Sequence, residues 1–197
     1  MSRTAEIARK TAETDVTVSL DLDGDGSCDA STGIGFFDHM LTLVAHHGLV
    51  GLKVRAHGDV HVDDHHTVED VGIAIGAALR KALGNCSGIV RMGHAFAPMD
   101  EALVLCAIDV SGRGILVCEL ELPTPRLGDY TTELTPEFFR AVAHNAGWTV
   151  HLKQISGSNT HHLVEAAFKA FARAARMAVA VDPRVIGVPS TKGVLGE

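Results

Sequence analysis

A motif that occurs twice in the chain, His-His-x-x-Glu, has the residue types and spacing of a set of metal ligands. It lies at residues 65–69 and again at 161–165, each time at the start of an apolar-periodic segment. Adjacent side chains on an α-helix point about 100° apart, so the two histidines of one pair face different partners. The glutamate follows them by three and four residues and shares a helix face with both. Imidazole and carboxylate groups at this spacing suit a transition metal, and two copies predict two ions.

The least demanding alternative is that these histidines only cap helix ends and hydrogen-bond to carboxylates. Four imidazoles and two glutamates would then cluster without an ion, and polar groups without strong partners are costly to bury. Metal ligation better explains a motif that recurs at matching places in two halves of a chain.

Composition narrows the class of protein. The chain has 197 residues, 46% hydrophobic residues and a formal net charge of −7, which fits a globular protein with a real core and not a nucleic-acid binder. No run of about 18 apolar residues occurs and the N-terminus lacks the apolar segment of a secretory signal, so no membrane association is expected. The four cysteines are scattered without a Cys-x-x-Cys pair, which favours reduced thiols and a cytoplasmic location.

Hydrophobic periodicity divides the first half of the chain into strands and helices. The predicted elements are strands at 16–22, 27–32 and 49–56 and helices at 36–45 and 65–83. The polar residues 23–26 predict a hairpin turn between the first two strands. Gly48 and Gly84 are expected to end the helices, and Asp63 or Asp64 is a candidate N-cap for the helix that starts at His65.

The second half repeats this order. The predicted elements are strands at 102–110, 115–122 and 148–155 and helices at 136–145 and 161–180. Residues 111–114, Ser-Gly-Arg-Gly, have the composition of a hairpin turn, and Gly147 is expected to end the first of the two helices.

The simplest account of this pattern is an internal duplication of an α+β unit. Each half reads strand–strand–helix–strand–helix over about 90 residues, and the halves meet near 88–93. We therefore predict a first repeat at 1–93 and a second at 94–197, which together form one catalytic unit with a paired-metal site. The segment 187–193 is a Gly/Pro-rich loop, which by itself is more typical of a chain end than of a site.

Further ligands are expected from the earlier helix of each half. His39 is the candidate in the first half. Aligning the halves on Gly48 and Gly147 places Glu137 or Phe138 opposite His39, and of these only Glu137 can bind a metal. His151, on a predicted strand, is a rival, and the residues leave the choice open.

Longer motifs resemble the imidazoleglycerol-phosphate dehydratase family over nearly the whole chain, from about residue 9 to 195. They are Gly-Phe-Phe-Asp-His-Met (35–40), His-His-Thr-Val-Glu-Asp (65–70), Pro-Met-Asp-Glu-Ala (98–102), His-His-x-x-Glu-x-x-Phe-Lys-Ala (161–170) and Pro-Ser-Thr-Lys-Gly (189–193). The resemblance implies dehydration of imidazoleglycerol phosphate to imidazoleacetol phosphate in histidine biosynthesis. It also implies a duplicated, ribosomal protein S5 domain 2-like fold whose sheets pack on a helical layer. Subunits are expected to assemble through trimers into an octahedral shell, with two Mn²⁺ per active site and active sites between subunits.

The resemblance also implies roles for single residues. One ion is expected to bind His65, His161, Glu165 and Glu137, and the other His39, His66, Glu69 and His162. Position 137 departs from several family members, which have histidine there, and Leu43 replaces a frequent glutamine. The expected phosphate contacts are Arg91, Arg113, Lys169, Ser190 and Lys192. The expected acid–base residues are Glu13, Glu165 and Asp100.

Two other functions fit part of the pattern. A dinuclear metallohydrolase acting on a small phosphorylated substrate also uses two metals, although such sites usually depend on bridging aspartates. A non-catalytic metal store has no need of the predicted phosphate contacts. Dehydration of imidazoleglycerol phosphate is therefore the expected function, with the metallohydrolase as the alternative.

Overall fold

The computed structural model describes residues 2–195 and divides them into two halves of the same build. The first half contains β1 (Thr4–Lys10), β2 (Thr14–Asp21), β3 (Cys28–Ser31), α1 (Gly35–Gly48), β4 (Gly51–Gly58) and α2 (His65–Leu83). The second half contains β5 (Met92–Met99), β6 (Ala102–Asp109), β7 (Ile115–Glu119), β8 (Arg126–Leu127), β9 (Tyr130–Thr131), α3 (Leu134–Ala146), β10 (Thr149–Ser156) and α4 (Thr160–Val179). The predicted helices and duplication are confirmed.

Each half forms one four-stranded sheet, and the two sheets have equivalent strand orders. The orders are β1-β2-β4-β3 and β5-β6-β10-β7, and the third strand of each half runs parallel to its neighbour. The short pair β8-β9 is an addition of the second half. β1 and β5 were not predicted from the sequence, so three strands of each four-stranded sheet, and not two, precede the first helix of that half. The predicted boundary at residue 93 lies inside β5, and the division into domains stays a prediction.

Both predicted hairpins are wrong. β2 and β3 do not pair, because β4 lies between them, and β10 separates β6 from β7 in the same way. The turn after β2 passes over the start of β4 so closely that a Cβ on Gly24 would lie 2.1 Å from the amide nitrogen of Gly51. Pairing with a strand that comes much later in the chain has no local signal in a turn sequence.

The four helices form a layer that both halves build together. α2 packs on β1 and β2, whereas α4 packs on β5 and β6. Between the halves, α2 packs against α3 and α1 against α4, so one continuous hydrophobic core joins the halves. Gly72 and Gly76 permit the close approach of α2 to α3, since a Cβ on Gly76 would lie 2.6 Å from the carbonyl oxygen of Val142. No helix within residues 2–195 combines the length and apolarity needed to span a membrane.

Candidate active site

The histidine pairs lie at the first turns of α2 and α4, where side chains satisfy the free backbone amides. Asn159 Oδ1 accepts hydrogen bonds from the amides of His161 and His162. Of the two candidate caps of α2, Asp63 accepts from the amide of His65 at 2.9 Å. Asp64 instead accepts from the backbone and hydroxyl of Thr131. Capping of this kind fixes where each helix starts and hence where its histidines point.

The two rings of each pair diverge as their helical positions require. The rings of His65 and His66 have centroids 6.2 Å apart and an interplanar angle of 74°. Those of His161 and His162 are 6.1 Å apart at 87°. Near-perpendicular neighbours cannot direct their nitrogens at a common ion, so each pair offers one imidazole to each of two partners.

Glu165 on α4 lies between histidines of two helices. Its Oε2 is 3.3 Å from Nε2 of His161 and 3.5 Å from Nε2 of His39 on α1. Its Oε1 accepts a hydrogen bond of 2.5 Å from Nζ of Lys169. Burial opposes ionisation of Glu165, but the hydrogen bond and charge of Lys169 and the nearby histidines hold the pKa of its carboxyl below the ordinary value. The carboxylate is therefore charged at neutral pH and directed at two exposed imidazoles.

An equivalent pair lies at the start of α2. Oε2 of Glu69 is 3.9 Å from Nε2 of His65, the same i,i+4 relationship as Glu165 to His161. The duplicated motif thus places the same two groups together in both halves. Within residues 2–195, no three His, Cys, Asp or Glu side chains converge closely enough to hold a metal ion as they stand.

Two carboxylates that the sequence analysis missed orient the remaining histidines. Nδ1 of His66 lies 3.1 Å from Oδ2 of Asp59, and Nδ1 of His162 lies 2.7 Å from Oε2 of Glu101. These hydrogen bonds raise the pKa of both histidines, and that to His162 lowers the pKa of Glu101 to about 2. A carboxylate on Nδ1 favours the proton there and leaves Nε2 as the ligand atom, a common arrangement around metal sites.

The predicted acid–base residues lie beside predicted ligands. Oε2 of Glu13 is 3.8 Å from Nδ1 of His66, and Oδ2 of Asp100 is 3.7 Å from Nε2 of His162. Asp100 is exposed in the turn between β5 and β6 and has a left-handed backbone with φ of +48°. Glu13 occupies the equivalent turn of the first half, directly before β2. Together with Glu165, all three acids thus lie next to an imidazole.

Four of the five predicted phosphate contacts line one cavity of about 410 Å³. Its polar lining consists of Arg91, Ser111, Arg113, Ser190, Thr191 and Lys192. Ser111, which was not predicted, stands in the Ser-Gly-Arg-Gly turn, and its Oγ accepts from the amide of Arg113. Three basic side chains and several hydroxyls converge here, which suits an anion. Lys169, the fifth predicted contact, is instead bound to Glu165.

The anion cavity and the Glu165 cluster lie at opposite ends of α4. The amide of Arg91 donates to the carbonyl oxygen of Ala178, in the last turn of the helix. Glu165 is 13 residues earlier, which corresponds to about 20 Å along a helix. One chain therefore separates its candidate ligands from its candidate phosphate contacts.

Glu137 and His151, the two alternatives for a further metal ligand, have different surroundings. Glu137 forms an ion pair with Arg140, one turn later on α3. Its neighbour Phe138 packs against Gly72, which is seven residues after His65 on α2. His151 is exposed on the outer face of β10, between β6 and β7. Leu43 is half-buried against the core.

Comparison with known proteins identifies the family to which this chain belongs. The family model for imidazoleglycerol-phosphate dehydratase matches residues 32–175. The chain belongs to the imidazoleglycerol-phosphate dehydratase family. It is 56% identical over 195 residues to the imidazoleglycerol-phosphate dehydratase of Desulforamulus reducens, covering 99% of this chain and 100% of that protein. It is 59% identical to that of Synechococcus sp. (strain CC9902), covering 98% and 96%.

Solved structures of the family share the fold. A crystal structure of imidazoleglycerol-phosphate dehydratase from Staphylococcus aureus subsp. aureus N315 matches with a TM-score of 0.83 and 39% identity, over 91% of this chain and 99% of that one. The enzyme from Pyrococcus furiosus in complex with (S)-C348 matches with a TM-score of 0.83 and 36% identity, over 96% and 100%. The predicted duplicated α+β fold is confirmed.

Membership of this family settles the class of reaction. The chain is a hydro-lyase of histidine biosynthesis that dehydrates imidazoleglycerol phosphate, a small phosphorylated imidazole. The alternative of a metallohydrolase is wrong.

Proposed function

We propose that dehydration takes place at two metal ions, each held by ligands from both halves of the duplicated chain. The observation that carries this proposal is the position of Glu165 between His161 and His39, at 3.3 and 3.5 Å. The equivalent contact of Glu69 with His65 supplies the start of a second group. Imidazoles and carboxylates with an exposed side fit Mn²⁺, which we propose as the metal.

The contacts favour a grouping of ligands that differs from the one expected from the resemblance. His39 lies with Glu165, and Glu69 lies with His65 and not with His66. Because the rings of each pair diverge, the partner histidine of each pair belongs to the other ion. One ion is then held by His39, His66, His161 and Glu165 and the other by His65, Glu69 and His162.

For the last ligand of the second ion we favour His151 over Glu137. The carboxylate of Glu137 already has a cationic partner in Arg140, and a metal would have to displace it. His151 is an exposed imidazole on a strand, so its position is fixed by the sheet and its nitrogens are accessible. Replacing either residue by alanine and counting bound metal distinguishes the two.

The residues of the chain bind the substrate and move its protons. The metals, when bound, act as Lewis acids toward the imidazole ring. The reaction removes the hydroxyl on the carbon next to the ring and a proton from the following carbon, and the resulting enol becomes a ketone. We assign these proton transfers to Glu13, Asp100 and Glu165, each of which lies beside a candidate ligand.

The active site is shared between copies of the chain. Three carbon atoms separate the ring and the phosphate of the substrate, so it spans about 10 Å at most, whereas Glu165 and the anion cavity of one chain are roughly 20 Å apart. A second copy therefore supplies the phosphate contacts to the metal ligands of the first. This requirement supports the octahedral assembly of trimers, and the scattered cysteines support a cytoplasmic location.

Mixing two inactive variants tests the shared site. Glu165→Gln removes a ligand, and Arg113→Ala removes a phosphate contact at the other end of α4. If sites are shared, dissociating the two variants and reassembling them together restores part of the dehydratase activity. Some shared sites then combine an intact Glu165 from one copy with an intact Arg113 from another. Activity no higher than that of the separately treated variants would contradict a shared site. Native mass spectrometry of the same samples checks that mixed assemblies formed.

A further inference from the structure

The guanidinium of Arg91, which lines the anion cavity, is held by the carboxylate of Asp109 at the end of β6. Arg91 Nε donates to Oδ1 of Asp109 at 2.8 Å, and Nη2 donates to Oδ2 at 3.2 Å. Nη1 donates to the carbonyl oxygen of Pro189 at 2.9 Å. A guanidinium has five N–H groups, so one on each terminal nitrogen remains for an anion.

The backbone of Arg91 is fixed as well. Its φ is +76°, a conformation that a non-glycine residue keeps only where its surroundings impose it. Its amide donates to Ala178, and its carbonyl oxygen accepts from the amide of Val110 at 3.0 Å. The hydrogen bonds of Arg91 to Asp109, Pro189, Ala178 and Val110, here called the Arg91 clamp, together hold its side chain in one orientation at the cavity wall.

The first half contains a similar clamp, Arg3 with Asp23, although Asp23 lies two residues beyond Asp21, the position equivalent to Asp109. Arg3 directly precedes β1, as Arg91 precedes β5, and its carbonyl oxygen accepts from the amide of Leu22 at 3.0 Å. Its guanidinium binds both carboxylate oxygens of Asp23 through Nε and Nη2, and Nη1 donates to the carbonyl oxygen of Val179. The anion cavity lies at the Arg91 clamp. The Arg3 clamp therefore serves as a control within the same chain.

We propose that Asp109 is a positioning residue, which aims the two remaining N–H groups of Arg91 at the substrate phosphate. Two effects of this carboxylate oppose each other. Its negative charge repels a phosphate, whereas its bidentate hydrogen bonds hold the arginine in place for one. The inference is that orientation outweighs repulsion. It rests on the proposed function for the identity of the anion as the substrate's phosphate ester.

The test measures inorganic phosphate binding by calorimetry, separately from turnover, in the intact assembly. The variants are Asp109→Asn, Asp109→Glu, which keeps the charge but moves it, and the control Asp23→Asn. We expect both Asp109 variants to weaken phosphate binding roughly tenfold, about the effect of one charge-assisted hydrogen bond. The KM for substrate is expected to rise in parallel while kcat stays within about twofold, and Asp23→Asn is expected to change neither.

The alternative outcomes are distinct. Tighter phosphate binding by Asp109→Asn would show that charge repulsion dominates, and this would overturn the inference. Equal losses in Asp109→Asn and Asp23→Asn would also overturn it, since they would reveal a general effect on stability. If Asp109→Asn fails to fold, unchanged binding by Asp109→Glu contradicts the inference and weakened binding supports it. Phosphate binding that depends on Asp109 in a protein without dehydratase activity would contradict the proposed function but not the positioning role.

Discussion

Lys169 donates a hydrogen bond of 2.5 Å to Oε1 of Glu165, one turn earlier on α4. The other oxygen of this carboxylate is left facing His161 and His39. The side chain of Glu165 is only 9% exposed, whereas those of the two histidines are 44% and 50% exposed. The buried carboxylate of Glu165 is thus kept ionised by Lys169 of the same helix, and it faces two accessible imidazoles.

Replacing Glu165 by glutamine is expected to abolish dehydration. The amide lacks the charge that an ion and the two histidines require, so kcat should fall by about a thousandfold or more, which is ~4 kcal/mol of barrier. Metal content, measured by plasma emission spectrometry, should fall with it. Glu119→Gln, on the exposed surface of β7, is the control and should change neither. A fully active, metal-replete Glu165→Gln protein would refute the assignment.

Lys192→Ala is expected to weaken substrate binding without loss of metal. Lys192 lines the anion cavity and lies far from the candidate ligands of its own chain, so its loss should raise the KM by about tenfold. Arg184→Ala is the control in the same segment, because Arg184 pairs with Asp182 outside the cavity lining. Steady-state kinetics with bound-metal analysis checks both. An unchanged KM for Lys192→Ala would show that the C-terminal segment is an ordinary loop with no role in substrate binding.

Alanine at position 151 or 137 decides the last ligand. His151→Ala should lower metal content by up to one ion per chain and reduce turnover, since a tightly bound ion needs its full set of donors. Glu137→Ala should keep both ions, because its carboxylate is paired with Arg140. Full metal in His151→Ala with loss in Glu137→Ala would favour the ligand set expected from the resemblance.

Gly76→Ala is expected to destabilise the fold through the contact of α2 with α3. The added Cβ would lie 2.6 Å from the Val142 carbonyl oxygen, so the helices must move apart. The steric cost of about 1–3 kcal/mol outweighs the gain of ~1 kcal/mol in helix propensity. Chemical denaturation measures the change, and Arg80→Ala on the exposed side of α2 should stay within about 0.5 kcal/mol. Unchanged or increased stability of Gly76→Ala would contradict this packing.

The sequence predicted the helices well because their signals are local. Apolar periodicity, the cap at Asp63 and the ending glycines all belong to the segments they define. β1 and β5 were missed because their inward positions include small residues such as Ala5 and Ala97, which give a weak apolar alternation. Strand order also depends on β4 and β10, which come later in the chain.

The same distinction between local and long-range contacts decides which features of the site the sequence could predict. The duplicated motif predicted that each histidine pair diverges, which follows from helical geometry alone. The grouping of His39 with Glu165 joins two helices that are far apart in the chain, so no spacing could reveal it. Glu101 could have been found, since it stands in the quoted motif at 98–102 and matches Glu13 directly before the equivalent strand.

We propose that dehydration requires two ions held by the duplicated motif. The direct measurement is a titration of chelator-treated protein with Mn²⁺, following the rate of imidazoleglycerol phosphate dehydration. We expect negligible turnover at the start and a rate that rises until two ions per chain are bound. Full turnover by the metal-depleted protein, or saturation at one ion per chain, would contradict it.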